Sequence, residues 1–475
     1  MSIDNKIRLT FWSGVGSITG GNFMLNFGGK KMLVDCGLIQ GGKEAWLENR
    51  NNFEYNPSEI KYLFITHAHL DHVGRIPKLV KDGFRGKIFS TPETKELAYF
   101  ILEDATGIMG KEALAEGITP LYEMRDVNDT MSMWEEIPYH TEKEFDKEEK
   151  LGSFSVYLRD AGHILGSSII EFKINTLDDG GAEVVKKISF TGDLGNTPST
   201  LLKDTEPPVG TEYLVMESVY GDRNHESHDE RRHKLKQAII DVVERKGTLL
   251  IPAFSLERTQ VLLSEINDFV EAGEVPSIPV FVDSPLAIKI TGVYQSYEND
   301  FNESSAKRIS SGDDIFDFPR LKFTEGMRDS KELEKVKVPK IIIAGSGMSV
   351  GGRVIRHEKE LLPNPNNIFL LVGYQTLGTI GRMIQDGAKK VRIDHEDIKV
   401  AAEVRTVFGY SSHKDSDHLL EFVDMTLDKD AKFPSIKRVF VVMGEMKSSL
   451  FLAQKIHDNL GIDAIYPERA KEYLI

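Results

Sequence analysis

The chain reads as an α/β protein built in layers, and three observations predict this. Apolar runs of strand length recur along its 475 residues, at 31–34, 62–65, 187–190, 213–216, 248–251, 280–282, 340–344, 368–372, 404–408 and 439–442. Amphipathic helical stretches lie between the later runs, at 228–245, 257–272, 356–361, 380–387 and 414–425, and one more follows at 448–460. Such alternation lays helices on the faces of largely parallel sheets. Thirdly, "VDCG", "FTGDLG", "LVMESVYGD", "FVDSPLA" and "IIIAGSGMSVGG" each run from an apolar strand into a polar tip. Chemistry in α/β folds collects at the carboxyl ends of strands, so tips from distant segments point to one shared cleft. The stretch 81–152, rich in Glu and Lys, is less regular and reads as helices and loops.

A chain of 475 residues is too long for one ordinary core, so two domains are expected, in tandem or with one inserted in the other. With 40% hydrophobic and 28% charged residues it has the composition of a soluble globular protein. No apolar run approaches the ~20 residues of a membrane helix. The first residues, MSIDNKIRLT, carry no charged-then-apolar leader, and a cytoplasmic protein is expected. The single cysteine, Cys36, excludes internal disulfides and a thiolate-rich zinc site, and reads as a small buried residue after a strand. A net charge of −15 argues against non-specific nucleic-acid binding, so any such role must rest on a local basic groove or on bound metal.

The densest chemistry is "THAHLDH", directly after the run at 62–65. His67, His69, Asp71 and His72 offer imidazole and carboxylate, which suit zinc, manganese or iron. In a strand-to-helix turn, His67 and His69 can face one ion while Asp71 and His72 face a neighbour. "DAGHILGSS" places His163 between small residues, and "FTGDLG" places Asp193 at a strand tip, where a carboxylate can bridge two ions. Taken singly, His163 or Asp193 reads as a hydrogen-bonded turn residue. Two metals about 3.5–4 Å apart activate a water and stabilise in-line displacement at phosphorus. Asp35 and Gly37 of "VDCG" suit a supporting role, since a carboxylate commonly orients a ligand histidine through its other ring N–H.

"THAHLDH", "AGHILGSS" and "FTGDLG" resemble, in order and spacing, the metal motifs of the metallo-β-lactamase superfamily. "ESVYGDR", "IPAFSLERTQ", "DSPLA", "GSGMSVGGR", "GYQTLGTIGR" and "GYSSHKD" resemble its β-CASP branch, the nucleic-acid-processing members, which include RNase J and the endonuclease of mRNA 3′ ends. The resemblance runs from about Phe11 to Tyr466. It implies a four-layer αββα metallo-β-lactamase domain, an inserted α/β β-CASP domain, and an active site in the cleft between them. The expected ranges are 1–215 for the first part of the metallo-β-lactamase domain, 216–405 for the insertion and 406–475 for the return. No separate RNA-binding module is expected before Phe11, nor a long tail after Tyr466. The resemblance implies that His67, His69 and His163 hold one zinc, that Asp71 and His72 hold the other, and that Asp193 bridges. It also implies a catalytic role for Glu217 and His413, with Glu217 orienting His413 to protonate the leaving oxygen. From the residues alone, His413 reads as a cap on the helix expected near Lys414, and Glu217 as a strand-end acid.

The pattern breaks at "VFVVMGEMKSS". Met443 stands where the family carries a further zinc-binding histidine, and the nearest histidines, His418 and His457, fall inside expected helices. A neutral, soft thioether replaces imidazole poorly on Zn²⁺ beside carboxylates. One zinc is then expected to bind firmly. The second site is weakened and fills with substrate, takes another metal such as Mn²⁺, or stays empty.

"GSGMSVGG" (345–352) closes the run at 340–344 and offers backbone N–H groups for phosphate, with Ser346 and Gly347 in the turn, though no GK[ST] follows. Taken alone it reads as a tight strand-to-helix turn. Arg353, Arg258 and Arg382 are carried as substrate contacts because guanidinium matches phosphate oxygens. His140, His225, His228, His233 and His395 read as surface residues, and Trp134 with its neighbouring methionines as a packing face.

Three functions follow. The first is a metal-dependent ribonuclease of the β-CASP type acting on RNA. The second is a non-catalytic RNA-binding or scaffold paralogue, favoured by Met443. The third is a small-molecule hydrolase of the superfamily, disfavoured by the roughly 190 residues between Asp222 and His413 that a small substrate does not require. The motifs suit endonuclease and 5′ exonuclease alike, and family habit implies a homodimer.

Overall fold

Buried strands explain the architecture. The structure, a computed structural model, describes residues 6–148, 152–178, 181–376, 378–430 and 435–475. It divides into two compact units, Met1–Ser199 with Asp204–Asn224 and His413–Ile475, and Thr200–Lys203 with His225–Ser412. Met1–Asn5, where no leader was read, lie outside the described residues.

The first unit holds two seven-stranded sheets. One contains the strands Arg8–Ser13, Asn22–Phe27, Lys30–Val34, Ile60–Phe64, Lys87–Ser90 and Trp134–Glu136. The other contains Phe154–Asp160, Ser168–Leu177, Glu183–Phe190, Tyr213–Glu217 and Arg438–Val442. Their inner faces share one apolar cluster, including Phe23, Met32, Val34 and Phe64 from the first sheet and Phe154, Phe172, Phe190 and Val442 from the second. Aromatic rings meet across it edge to face, as Phe64 does with Phe172 at 5.1 Å between centroids. The outer face of the second sheet buries Leu214, Met216, Val439 and Val441 against Leu419, Phe422 and Val423 of helix Ser416–Thr426 and Leu452 and Ile456 of helix Met446–Leu460. Because strand residues alternate in direction, Leu33, Leu63 and Ile88 are also fully buried, on the opposite face from Val34, Phe64 and Phe89. Sheets facing each other with helices outside them form the four-layer αββα arrangement.

The stretch 81–152 is more regular than its composition suggests. It contains a 25-residue helix, Pro92–Glu116, whose start follows local rules. Thr91 accepts from the Thr94 N–H, Pro92 occupies the first turn, and Gly117 closes the helix at φ 67°. Trp134 is buried and its indole N–H donates to Ser90 Oγ at 2.8 Å, so it packs rather than stacks on a ligand.

The second unit is a six-stranded parallel sheet, in the order Leu321–Phe323, Val280–Asp283, Lys340–Ala344, Thr248–Pro252, Ile368–Leu371, Glu403–Thr406. Its inner strands are buried throughout, as fully covered parallel strands are. The strand expected at 404–408 ends at Thr406, and Phe408–Tyr410 forms a 3-10 turn instead. Tyr410 is buried there and its hydroxyl donates to Glu265, which also pairs with Arg231. No described helix is long and apolar enough to cross a membrane.

Two buried acids in this unit make its stability depend on pH. Burial pushes the Glu257 carboxyl up to about 7, against the Tyr294 hydroxyl and the Arg258 guanidinium. Burial also pushes Glu358 up to about 7, against the Ser349 hydroxyl. Both folded values exceed the ~4.3 of an unfolded chain, so the folded state keeps protons the unfolded chain releases. That stabilisation is complete below about pH 4.3 and is lost as pH rises towards 7. The urea midpoint of this unit should fall between pH 5 and pH 7.5, and Glu257→Gln should reduce the fall.

A candidate metal centre at the strand tips

The strand Ile60–Phe64 delivers Thr66 and His67 to its carboxyl tip, and the four-residue helix Leu70–Val73 turns Asp71 and His72 back towards it. Asp35, at φ 59° just beyond Lys30–Val34, fixes the turn. Its buried carboxylate accepts from the Thr66 N–H at 2.8 Å, from the Thr66 hydroxyl at 2.9 Å and from His72 Nδ1 at 2.8 Å. With the Thr66 hydroxyl hydrogen directed to Asp35, His67 Nδ1, 3.0 Å from Thr66 Oγ1, must be the donor there. The lone pair of His67 is therefore on Nε2.

The other motifs converge on the same place. The Ser167 hydroxyl accepts from the N–H groups of His163 and Ile164, holding the "GHILGS" turn. The Gly195 N–H donates to Ala161 O at 2.8 Å, and a Cβ at Gly195 would stand 1.9 Å from Gly162 O, so the Asp193 and His163 turns touch only because residue 195 is glycine.

His67 Nε2 and His163 Nε2 each lie 3.1 Å from His69 Nδ1. Asp193 Oδ2 lies 3.4 Å from His67 Nε2 and 3.5 Å from His163 Nε2. Four donors about 2.0–2.1 Å from a tetrahedral cation are about 3.3–3.4 Å apart, so these four atoms fit one zinc-sized ion. Burial pushes all three imidazoles down, most strongly at His69 and His163, and neutral imidazole is the form that ligates. Burial opposes charge on Asp193, but His72 and His67 hold its carboxyl well below the usual range.

Asp71 and His72 are arranged differently. His72 Nε2 lies 3.4 Å from Asp193 Oδ1 and 3.8 Å from Asp71 Oδ2. His72 Nε2 and Asp193 Oδ1 are buried and have no hydrogen-bond partner. Burial first, with Asp193 added, raises Asp71 to about 6, His72 pulling the other way. Among the described residues, potential ligand atoms converge in only two sets, His67–His69–His163–Asp193 and Asp193–Glu217–His413, and neither includes Asp71 or His72. Met443 is buried at φ 48°, its N–H bound to Gly14 O, and belongs to the apolar cluster with Phe23 and Val442. A Cβ at Gly14 would stand 2.8 Å from its Sδ.

His413 does not cap a helix. The helix begins at Ser416, and its cap is Asp415, which accepts from the His418 N–H. His413 instead lies in an antiparallel bridge with Gly195, its Nδ1 3.0 Å from Glu217 Oε1. Glu217 is fully buried and also accepts from the Leu194 N–H at 2.7 Å. Burial opposes charge on His413, but Glu217, followed by Asp193 and Asp71, lifts it to about 9.

The residues expected to meet phosphate lie in the second unit. Ser346 Oγ accepts from the Val350 N–H at 3.1 Å, and Gly347 O accepts from Gln375 Nε2 at 3.0 Å. Arg353 donates to Asp283 Oδ1 at 2.6 Å and to the carbonyls of Thr324 and Glu325. Arg258 is 7% exposed at the first turn of helix Arg258–Glu271, its guanidinium 6.0 Å from the Tyr410 ring. Arg382 is held by both oxygens of Asp386 on its own helix. The arginines are thus engaged with the protein's own groups. His140, His233 and His395 are exposed, and His225 and His228 half-buried. Sequence reading missed Thr66, which ties Asp35 to His67; its only signal was its place before the histidine run.

Over 448 aligned residues the chain is 31% identical to "Ribonuclease TTHA0252" of Thermus thermophilus, covering 94% of this chain and 95% of that protein. The chain belongs to the β-CASP branch of the metallo-β-lactamase superfamily. Family models agree: the metallo-β-lactamase superfamily matches residues 22–149, the Beta-Casp domain 259–384, and the Zn-dependent metallo-hydrolase RNA specificity domain 397–467. The "Transcription termination factor FttA" of Methanosarcina mazei is 30% identical over 480 residues, 97% of this chain and 70% of that one. A solved structure from Enterococcus faecalis, described as a protein of unknown function, shares the fold at TM-score 0.56 and 14% identity. As a β-CASP protein the chain is a metal-dependent enzyme, and the four converging donors are a candidate seat for the ion.

Asp35→Ala leaves three buried donors without a partner, at ~1–3 kcal/mol each. It should lower the unfolding free energy by roughly 3–5 kcal/mol in urea titration. The milder Asp35→Asn should weaken metal affinity about 10–100-fold, read by competition with a chelating dye.

Proposed function

We propose that the chain is a metal-dependent ribonuclease that hydrolyses RNA phosphodiester bonds. The observation that carries this is the convergence of three imidazoles and one buried carboxylate beside the Glu217–His413 pair. A relative named as a ribonuclease, aligned along nearly the whole chain, supports RNA as the substrate.

His67, His69, His163 and Asp193 would hold one divalent cation, and three nitrogens with one oxygen suit zinc. A cation there supplies Lewis acidity towards phosphoryl oxygens. The other work falls to side chains. Asp35 and Thr66 fix the tautomer of His67. Glu217 accepts the His413 Nδ1–H, which keeps the ring charged and turns Nε2 away from Glu217. As the bond between phosphorus and the leaving oxygen breaks and water oxygen takes its place, His413 donates its Nε2 proton to the leaving oxygen, the attacking water releases one proton to solvent, and the imidazole regains its own from solvent. The buried Glu217 carboxylate balances the imidazolium before that transfer. Ser346 and Gly347 we assign to the substrate backbone. Arg258, Arg353 and Arg382 we assign to holding the second unit's turns and helices.

The second metal position we read as weakened. Asp71 and His72 reach no converging set, and Met443 is packed in the apolar core. His72 Nε2 and Asp193 Oδ1, 3.4 Å apart, mark where a weakly held ion, such as Mn²⁺, would have its protein contacts. The single buried cysteine and an RNA substrate suit a cytoplasmic setting.

Metal analysis and RNA cleavage test this together. The purified protein should hold about one zinc per chain, and Met443→His about two. His413→Ala should slow cleavage by roughly 10²–10⁴-fold while keeping its metal. If the native chain cuts no RNA under any divalent metal while Met443→His does, the chain is a non-catalytic RNA-binding paralogue.

A further inference from the structure

We propose that Phe254 is a stacking platform for one base of single-stranded RNA, set beside the Ser255–Ser284 hydroxyl pair at the strand tips of the second unit. The inference rests on the ribonuclease reading and adds to it a place for a nucleobase.

Phe254 follows Thr248–Pro252, which pairs with Lys340–Ala344 on one side and Ile368–Leu371 on the other. The ring is 38% exposed although it leaves a strand buried at every position. It rests on the backbone of the two adjacent tips. A Cβ at Gly347 would stand 2.9 Å from Phe254 Cδ2 and 3.0 Å from Cε2, and one at Gly373 would stand 3.8 Å from Cε2. Glycine at 347 is what leaves room for the ring.

Hydroxyls flank it. Ser255 Oγ and Ser284 Oγ are 3.0 Å apart, and a Cβ at Gly345 would stand 3.3 Å from the Ser284 oxygen and 3.5 Å from the Ser255 oxygen. The ring thus lies against Gly347 and the hydroxyl pair against Gly345, two positions apart on the turn 345–352, with Ser284 Oγ also accepting from the Ala287 N–H. A nucleotide needs both, a flat apolar face for its base and hydrogen-bonding groups for its sugar and phosphate.

The tip is also rigid. Phe254 O accepts from Thr259 N–H at 3.2 Å and Oγ1 at 2.8 Å, and Ser255 O accepts from Gln260 Nε2 at 3.2 Å. Gln375 Nε2 donates to both Gly347 O and Gly373 O. Glu257, with φ 64° and ψ −53°, is the centre of a three-residue turn closed by Arg258 N–H to Leu256 O at 2.8 Å. The Tyr294 hydroxyl locks Glu257 in that strained conformation. Strain kept by surrounding bonds points to a tip whose shape matters, and a ring held still in advance loses little freedom when a base stacks on it.

Anisotropy with the metal-loaded, full-length protein and a labelled, cleavage-resistant phosphorothioate oligouridylate tests the site. One abasic position in the oligonucleotide should weaken wild-type binding about 5–100-fold. Phe254→Ala should weaken binding of the intact strand to a similar extent and be insensitive to that abasic position. Phe254→Leu, which keeps apolar bulk without a ring, should behave like Phe254→Ala, and Phe254→Trp should keep affinity. Equal affinity of wild type and Phe254→Ala, or full affinity and abasic sensitivity in Phe254→Leu, overturns the platform while leaving the ribonuclease reading intact. A wild-type protein that neither binds nor cuts RNA overturns both.

Discussion

The site depends on one buried carboxylate that ligates nothing. Asp35 accepts from the Thr66 N–H, the Thr66 hydroxyl and His72 Nδ1, and so joins the tip of one strand to the turn after the next. A fully buried carboxylate is tolerated only where hydrogen bonds replace water, and here they also decide which nitrogen of His67 faces inward. Placing the histidines is thus part of satisfying Asp35. The donor set is an outcome of folding, not an addition to a finished scaffold.

The same economy explains the divergence of the two candidate ion positions. The turn of His67 and His69 is bound to that of His163 by Ser168 N–H to Thr66 O at 2.8 Å, and with the His67 ring fixed through Thr66 and Asp35 the three nitrogens meet. Asp71 and His72 sit on a four-residue helix, and Arg438–Val442 ends level with Glu217. There the chain places Met443, and its side chain completes the packing of Phe23 and Val442. His413 and Glu217 are placed separately, by Gly195 and Leu194.

Much of this was legible in the sequence, for physical reasons. Buried parallel strands need continuous apolar runs, and the runs at 248–251, 340–344 and 368–372 mark the core strands of the second unit. The helix His228–Arg245 has the bounds its periodicity predicts. What hid was different in kind. Phe154–Asp160 alternates buried and half-buried residues and contains no run. The helix Pro92–Glu116 carries Gly107 and Gly110 and exposes Ile108 and Leu114, which blurs its apolar face although its caps follow the rules. At the site, residue types announced possible ligands, but only packing shows that Arg353 is engaged with Asp283 and Met443 with the core. A side chain's partner is a tertiary fact, and neither spacing nor composition records it.

Whether those four donors hold the ion is tested most directly by anomalous scattering at the zinc edge from crystals of the zinc-loaded protein. One strong peak should appear among His67 Nε2, His69 Nδ1, His163 Nε2 and Asp193 Oδ2. A strong peak between Asp71 and His72 with none among those four atoms would contradict it.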